Sequence, residues 1–410
     1  MRYFFWLIGL FSALSLYGQS TNETYYIHPE FLLGKTMEAN DFFPQTNLQT
    51  GLHINIGHYN FNPKKDWAVN LNYPKTGITL GISDFGNVEK IGRAYSIIPF
   101  MEYPISDKWG VYVGMGGSFM DTLFDEEENP FNRAITTQLN WTFKSFAYFD
   151  VLQKTKSNWR LGLGYIHHSN GHSRLPNQGL NSFLASASGE FRLKPEMITA
   201  LEKPEKRRTS QIYFSTRFGL GQNVLSEKFN DKKGVYTVTV SGGKIINKTF
   251  KFGAGFYYRF YQHYYDYIKS DDRVIVNQYP QFKERPFRNA TNFGIFGTSE
   301  LLLGHVGFEF TLGFNIHKPA YQIDWKLNEG FEFVNDTGET IEVLGELDWY
   351  YELKRAISSR LGLNFYLFNT QNAPKQNVFL GIHINGNLGQ ADFNDISLGY
   401  VYCLDLKKRE

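Results

Sequence analysis

An alternation of apolar and polar side chains along most of the sequence constrains its fold more than any other feature. In "SNWRLGLGYIHHS" (157–169), Trp159, Leu161 and Leu163 share one parity, while Arg160 and two glycines share the other. Segments of about ten residues with this period recur to the C terminus, as in membrane strands that present apolar residues to lipid and polar residues to the lumen. The alternation therefore predicts membrane-spanning β-strands.

The composition favours a membrane barrel over a water-soluble β-protein. Aromatic residues make up 17% of the chain, with 37 Phe, 26 Tyr and 7 Trp, and there are 38 Gly. The densest aromatic cluster, "FYYRFYQHYYDY" (256–267), is typical of the aromatic girdle at a membrane surface. No apolar run after the N-terminal segment is long enough for a transmembrane helix. We predict an all-β fold, a transmembrane antiparallel up-and-down β-barrel of roughly 14–16 strands.

The N terminus has the features of an export signal. Arg2 is followed by the apolar run "YFFWLIGLFSALSL", and small and polar residues come directly after it. Such a run is too short to span a bilayer, so we assign residues 1–19 as a cleaved signal peptide. Together with the barrel pattern, this assignment predicts that the protein is located in the outer membrane of a Gram-negative cell.

Charge and cysteine content exclude some classes of function. The chain has 42 basic and 40 acidic residues, a net charge of +2, so no electrostatic argument supports nucleic acid as a partner. Cys403 is the single cysteine, so no intramolecular disulfide can form. We predict that the fold is stabilised without covalent cross-links.

The predicted strands fall into two runs separated by "RLKPEMITALEKPEKRR" (192–208), a charged and proline-punctuated segment. The first run lies near 22–38, 49–59, 76–84, 94–103, 109–118, 134–150, 157–170 and 180–193. The second lies near 209–220, 233–246, 248–262, 287–302, 303–315, 342–356, 358–369, 376–387 and 392–402. The seventeen predicted strands are one more than an even-numbered barrel permits, so one of the predicted strands is a merger or a mistake.

These runs suggest a domain organisation in which residues 20–195 form an eight-strand portion that carries the active site. Residues 196–208 are then a charged linker or periplasmic turn. We expect residues 209–410 to add strands to the same barrel, because two closed barrels would need a longer connection.

The segment "YIHHSNGHSRLPNQGLNSF" (165–183) concentrates polar chemistry at the end of one predicted hairpin. His167 and Ser169 share the lipid-facing parity, and Asn181 shares it on the returning strand. Directly opposed side chains on one face lie about 4.5–5.5 Å apart. Polar groups facing lipid must satisfy one another. We therefore predict a relay in which Ser169 is the nucleophile, His167 the base and Asn181 the residue that orients the imidazole.

Other interpretations of this segment remain open. A His-x-Ser pair alone is unspecific, and a loop rich in Asn, Gly and Pro is typical of any hairpin tip. A metal site formed by His167, His168 and His172 is disfavoured, because adjacent strand residues face opposite sides and no carboxylate or cysteine joins them. We therefore predict no metal and no cofactor. The candidate oxyanion donors near the nucleophile are Asn170, Gly171 and Asn177.

The same segment resembles the active-site motif of the lipid A 3-O-deacylase family, also labelled acyloxyacyl hydrolase-like. That motif is His-x-Ser-Asn followed by Pro-Asn-x-Gly-x-acid. The residues that match in order and spacing are His167, Ser169, Asn170, Pro176, Asn177 and Gly179. The family's third catalytic residue is Glu, whereas this chain has Asn181. Outer-membrane phospholipase A has a similar His-x-Ser-Asn-Gly segment with Asn as its third member.

The resemblance implies an outer-membrane serine esterase that removes an ester-linked acyl chain from lipid A of lipopolysaccharide. The first alternative is a phospholipase acting on glycerophospholipids, and the second is a non-enzymatic barrel, a porin or an adhesin. Outer-membrane phospholipase A uses an acidic residue seven positions after its histidine to help hold calcium. Arg174 occupies that position here, so we expect calcium to be dispensable.

Overall fold

The computed structural model describes residues 24–193, 208–327, 331–334, 340–343, 348–404 and 407–408. The assigned signal peptide (1–19) and nearly all of the assigned linker (196–208) lie outside the described residues. The strands are β1 (Thr24–Thr36), β2 (Gln49–Tyr59), β3 (Lys75–Asp84), β4 (Arg93–Pro104), β5 (Trp109–Met120), β6 (Leu139–Gln153), β7 (Ser157–Ser169), β8 (Leu180–Arg192), β9 (Thr209–Asn223), β10 (Lys233–Ile246), β11 (Phe250–Tyr261), β12 (Thr291–Leu302), β13 (Val306–His317), β14 (Phe331–Val334), β15 (Thr340–Val343), β16 (Ile357–Tyr366), β17 (Gln376–Asn387), β18 (Gln390–Cys403) and β19 (Lys407–Lys408). The α-helices are α1 (Asp66–Asn70), α2 (Gln262–Lys269), α3 (Arg273–Gln278), α4 (Pro286–Asn289), α5 (Tyr321–Leu327) and α6 (Asp348–Ala356). Among the described residues, none of these helices has the length and apolar character needed to cross a membrane.

The first eight strands form a closed antiparallel barrel. Each strand pairs with the next, and β1 pairs with β8 to complete the ring. The predicted alternation holds along β7, where Leu161 and Leu163 point outward and are 55% and 71% exposed. Arg160, one residue away, points into the lumen and is only 3% exposed. An apolar outer wall of this kind is suited to contact with lipid.

The prediction that residues 209–410 extend the same barrel is wrong. Strands β9 to β13 and β16 to β18 form a second closed barrel, in which β9 pairs with both β10 and β18. Because β8 already pairs with β1, the first sheet has no free edge to which β9 could add. The predicted 14–16 strands are therefore divided between two barrels of eight, with β14–β15 as a separate hairpin.

The surplus strand is the one predicted at 342–356. The structure has only the short strand β15 at its start and the helix α6 over most of its length. Two features favour the helix: Glu352 and Arg355 form an ion pair at the i,i+3 spacing, and basic residues lie in its last turn.

Paired charges occupy both barrel interiors. In the first barrel, the Lys144 ammonium lies 2.5 Å from Glu30, and both side chains are fully buried. In the second, Arg217 forms a two-pronged ion pair with Glu309, and only about 30 Å³ of free volume remains in this part of the lumen. Buried charges of this kind must be paired to be tolerated. The interiors are therefore filled with side chains.

The two barrels contact each other at both ends. At the end opposite Ser169, Asn70 donates to the carbonyl oxygen of Asn247 at 3.1 Å, and Lys248 forms an ion pair with Asp66 at 2.9 Å. At the end that carries Ser169, called the site end below, residues 224–230 and β18 contact the β7–β8 loop. The two barrels do not need the longer connection that was expected, because they lie side by side.

Candidate active site

The predicted catalytic residues lie where β7 and β8 reach the site end. His167 is paired with Asn181 across the hairpin, and Ser169 is paired with Trp141 on β6. The structure brings His167 and Asn181 into direct contact, with 2.7 Å between the imidazole Nδ1 and the carboxamide Oδ1. Both side chains are partly buried on the outward, lipid-facing side.

The hydrogen bonds of Asn181 define the protonation of His167. Its Oδ1 atom can only accept hydrogen bonds, so the Nδ1 atom of His167 carries the proton. The Nε2 atom is then unprotonated and able to accept a proton from a hydroxyl. The Tyr165 hydroxyl donates to the same Asn181 oxygen and so fixes the orientation of the carboxamide. Sequence reasoning missed this role of Tyr165, although the residue has the same parity as His167.

Ser169 lies on the same face as His167 but is covered. Its exposed fraction is 5%, and Trp141 stands directly opposite it on the neighbouring strand. Within the described part of the chain, no hydrogen bond joins the Ser169 hydroxyl to His167. Catalytic hydrogen bonds in unliganded sites are often long and close only when substrate is bound.

The three predicted oxyanion donors in the loop after Ser169 differ in how many of their N–H groups are already hydrogen-bonded. The Asn170 backbone N–H donates to the side-chain oxygen of Asn177 at 3.0 Å. The Asn170 side chain donates to the Arg174 carbonyl at 2.8 Å and accepts from the Ser173 N–H at 3.0 Å. The backbone N–H and one side-chain N–H of Asn170 are therefore engaged, whereas the Gly171 N–H and the Asn177 side-chain N–H₂ have no hydrogen-bond partner among the described residues.

Gly179 allows the returning chain to pass close to the imidazole. Its φ angle is +76°, in the left-handed region that favours glycine. A Cβ atom at this position would lie 2.8 Å from Cε1 of His167. The glycine is therefore required by both the backbone conformation and the neighbouring ring.

The structure separates the three histidines that were considered as metal ligands. His168 points into the lumen, where its Nδ1 atom lies 2.9 Å from the hydroxyls of Ser118 and Thr142. Burial lowers the pKa of His172, and its Nε2 atom donates to the Val224 carbonyl at 3.1 Å. Among the described residues, no group of three or more His, Cys, Asp or Glu side chains is arranged to hold a metal ion.

Closed antiparallel barrels with apolar outer walls define this chain as an integral outer-membrane β-barrel protein. More particularly, residues 46–188 match the sequence model of the family described as "Lipid A 3-O-deacylase (PagL)". The matched segment lies within the first barrel and contains His167, Ser169 and Asn181, so the resemblance noted in the sequence is confirmed. The second barrel lies outside the match.

Comparisons with other known proteins add little. No curated protein matches the chain. Similar solved structures include the outer membrane protein opdK from Pseudomonas aeruginosa, with 9% identity, a TM-score of 0.19, and coverage of 94% of this chain and 100% of that one. Another is Omp33 from Acinetobacter baumannii, with 6% identity, a TM-score of 0.17, and coverage of 93% and 99%. Likeness at these TM-scores carries no argument about fold or function.

Proposed function

We propose that this protein is an outer-membrane serine esterase that removes an ester-linked acyl chain from lipid A by a Ser169–His167–Asn181 relay. The observation that carries the proposal is the 2.7 Å contact between His167 and Asn181 on the lipid-facing wall, inside the segment that matches the deacylase family. Two polar side chains on a lipid-facing wall are costly unless they satisfy each other or act on a ligand.

In the proposed reaction, the Ser169 hydroxyl attacks the acyl carbonyl carbon while the Nε2 atom of His167 takes its proton. The oxyanion of the tetrahedral intermediate is stabilised by the free N–H groups of Gly171 and Asn177. The bond between the acyl carbon and the sugar oxygen then breaks, and His167 gives its proton to this departing oxygen, which leaves as a sugar hydroxyl. A water molecule, activated by the same imidazole, hydrolyses the acyl-serine and releases the fatty acid.

The position of the site suits a substrate that stays in the bilayer. Leu161 and Leu163 lie below His167 on the same outward face and are largely exposed. Acyl chains can lie against this wall while the ester reaches the polar groups at the site end. The substrate therefore does not need to leave the membrane.

The same structure bears on the two alternative functions, a phospholipase and a porin. A phospholipase would use the same chemistry. The residue at the third catalytic position, Asn181, favours the phospholipase, because the deacylase family has Glu there. A porin would need an open lumen, which the buried ion pairs Lys144–Glu30 and Arg217–Glu309 occupy. We favour lipid A because the family match includes the whole active-site loop.

The test is mass spectrometry of lipid A and phospholipids from cells that express the wild type, Ser169→Ala or no protein. Loss of an acyl group from lipid A with the wild type alone supports the proposal. Ser157→Ala is the matched control, because Ser157 lies on the same face of β7 at its opposite end. A heat-modifiable band on gels shows that each variant is folded. Lysophospholipid instead of shortened lipid A would establish the phospholipase, and no change in either lipid would establish a non-enzymatic barrel.

A further inference from the structure

One residue of the second barrel bridges two parts of the active site on the first. Asn394, on β18, donates from its Nδ2 atom to the carbonyl oxygen of Asn170 at 2.9 Å. Its Oδ1 atom accepts from the indole N–H of Trp141 at 2.8 Å. Asn170 directly follows Ser169, and Trp141 stands opposite Ser169. Asn394 thus links the backbone that follows Ser169 to the Trp141 side chain beside Ser169.

Other contacts between the barrels hold the same loop further along. Asn230 accepts from the Leu175 N–H at 2.9 Å and donates to the Leu175 carbonyl at 2.6 Å. His172 donates to the Val224 carbonyl. Beside the loop, Arg133 in the β5–β6 connection forms an ion pair with Glu227. The loop is therefore bound to the second barrel at several points, two of them through its backbone.

The bond from Asn394 determines where the neighbouring N–H points. In a trans peptide, the carbonyl and the next N–H lie in one plane and point in opposite directions. Because the Asn170 carbonyl points at Asn394, the Gly171 N–H is directed away from Asn394. A Cβ on Gly171 would lie 2.1 Å from the Asn394 oxygen, so the close approach requires glycine at this position.

We propose that the second barrel is a positioning element of the active site, and that Asn394 orients the Gly171 N–H as an oxyanion donor. This inference rests on the proposed esterase function and assigns a role to residues that the deacylase match does not cover. Asn394 is a positioning residue, because its side-chain oxygen and nitrogen are both hydrogen-bonded to other protein groups.

The test compares kcat and KM of Asn394→Ala and Asn394→Asp in the full-length protein, on the lipid that the wild type hydrolyses. Asn394→Asp keeps the oxygen that accepts from Trp141 but loses the donor to Asn170. Both variants should lower kcat by about tenfold, less than the loss of an oxyanion donor itself. KM should stay unchanged, because the wall that receives the acyl chains is untouched. Gln222→Ala is the matched control, since Gln222 lies on β9 directly opposite Asn394 and is exposed.

Amide hydrogen exchange across residues 170–177 gives a readout that does not depend on activity. Both Asn394 variants should exchange faster in this loop than the wild type, while β9 and β18 keep their protection. An unchanged kcat, or a rise in KM alone, would overturn the proposal. A higher kcat would also overturn it, because the contact would then shield Ser169 from substrate. If the wild type hydrolyses no lipid, the proposed function fails, and unchanged loop exchange in the variants would separately exclude the positioning role.

Discussion

Replacing Asn181 by Ala removes the acceptor that orients His167 and leaves the nucleophile and the base in place. The hydrogen bond that is lost has 2.7 Å between its nitrogen and oxygen atoms. When the imidazole takes the proton from Ser169, this becomes a hydrogen bond to a charged group, which contributes about 1.5–3 kcal/mol. Since each ~1.4 kcal/mol changes a rate about tenfold, kcat should fall about ten- to hundredfold. The Tyr165 hydroxyl loses its acceptor in the same variant.

The assay is the initial rate of acyl release from one purified lipid A substrate, measured for Asn181→Ala, Ser169→Ala and His167→Ala. Asn181→Ala should retain clearly more activity than the other two, which remove groups that take part in bond formation. Asn181→Glu should keep substantial activity, because a carboxylate accepts the same imidazole hydrogen bond. A rate for Asn181→Ala equal to that of the wild type would refute the triad and leave a Ser–His dyad.

Two further predictions concern calcium and the active-site glycine. In detergent, where lipopolysaccharide cross-bridging plays no part, a chelator should leave the rate of acyl release unchanged, because Arg174 stands where the phospholipase has an acidic residue; complete inactivation would contradict this. Gly179→Ala should lower kcat at least about tenfold in a barrel that still shows heat modifiability, because the methyl group meets the His167 ring and the backbone is left-handed; wild-type activity would show that the ring has room to move.

Much of the site could be predicted from the sequence because a strand has a strict period of two. The parity of His167, Ser169 and Asn181 placed them on one outward face. The direct pairing of His167 with Asn181 was seen only in the structure. Tyr165 was missed for a specific reason. Its hydroxyl acts through a diagonal contact with Asn181, and the sequence around it shows only one more aromatic residue on a lipid-facing strand.

The helix α6 shows where local pattern fails. Over 342–356, apolar and polar residues alternate over too few positions to separate a period of two from one of 3.6. The helix places Tyr351 against Tyr321 of α5, with 5.3 Å between the ring centroids, above the second barrel. This contact joins elements far apart in the sequence, so no local reading of the chain includes it.

Most strand positions, the lipid-facing side of each strand and the polar segment at the β7–β8 hairpin could be read from the sequence, because these depend on neighbours along the chain. The division into two barrels could not, because eight strands that close and sixteen that close have the same alternation. That choice depends on β1 pairing with β8, which brings together residues at opposite ends of the first strand run. The contact between Asn394 and Asn170 depends in turn on how the barrels pack. Tertiary structure alone therefore decided that the second barrel reaches the candidate active site.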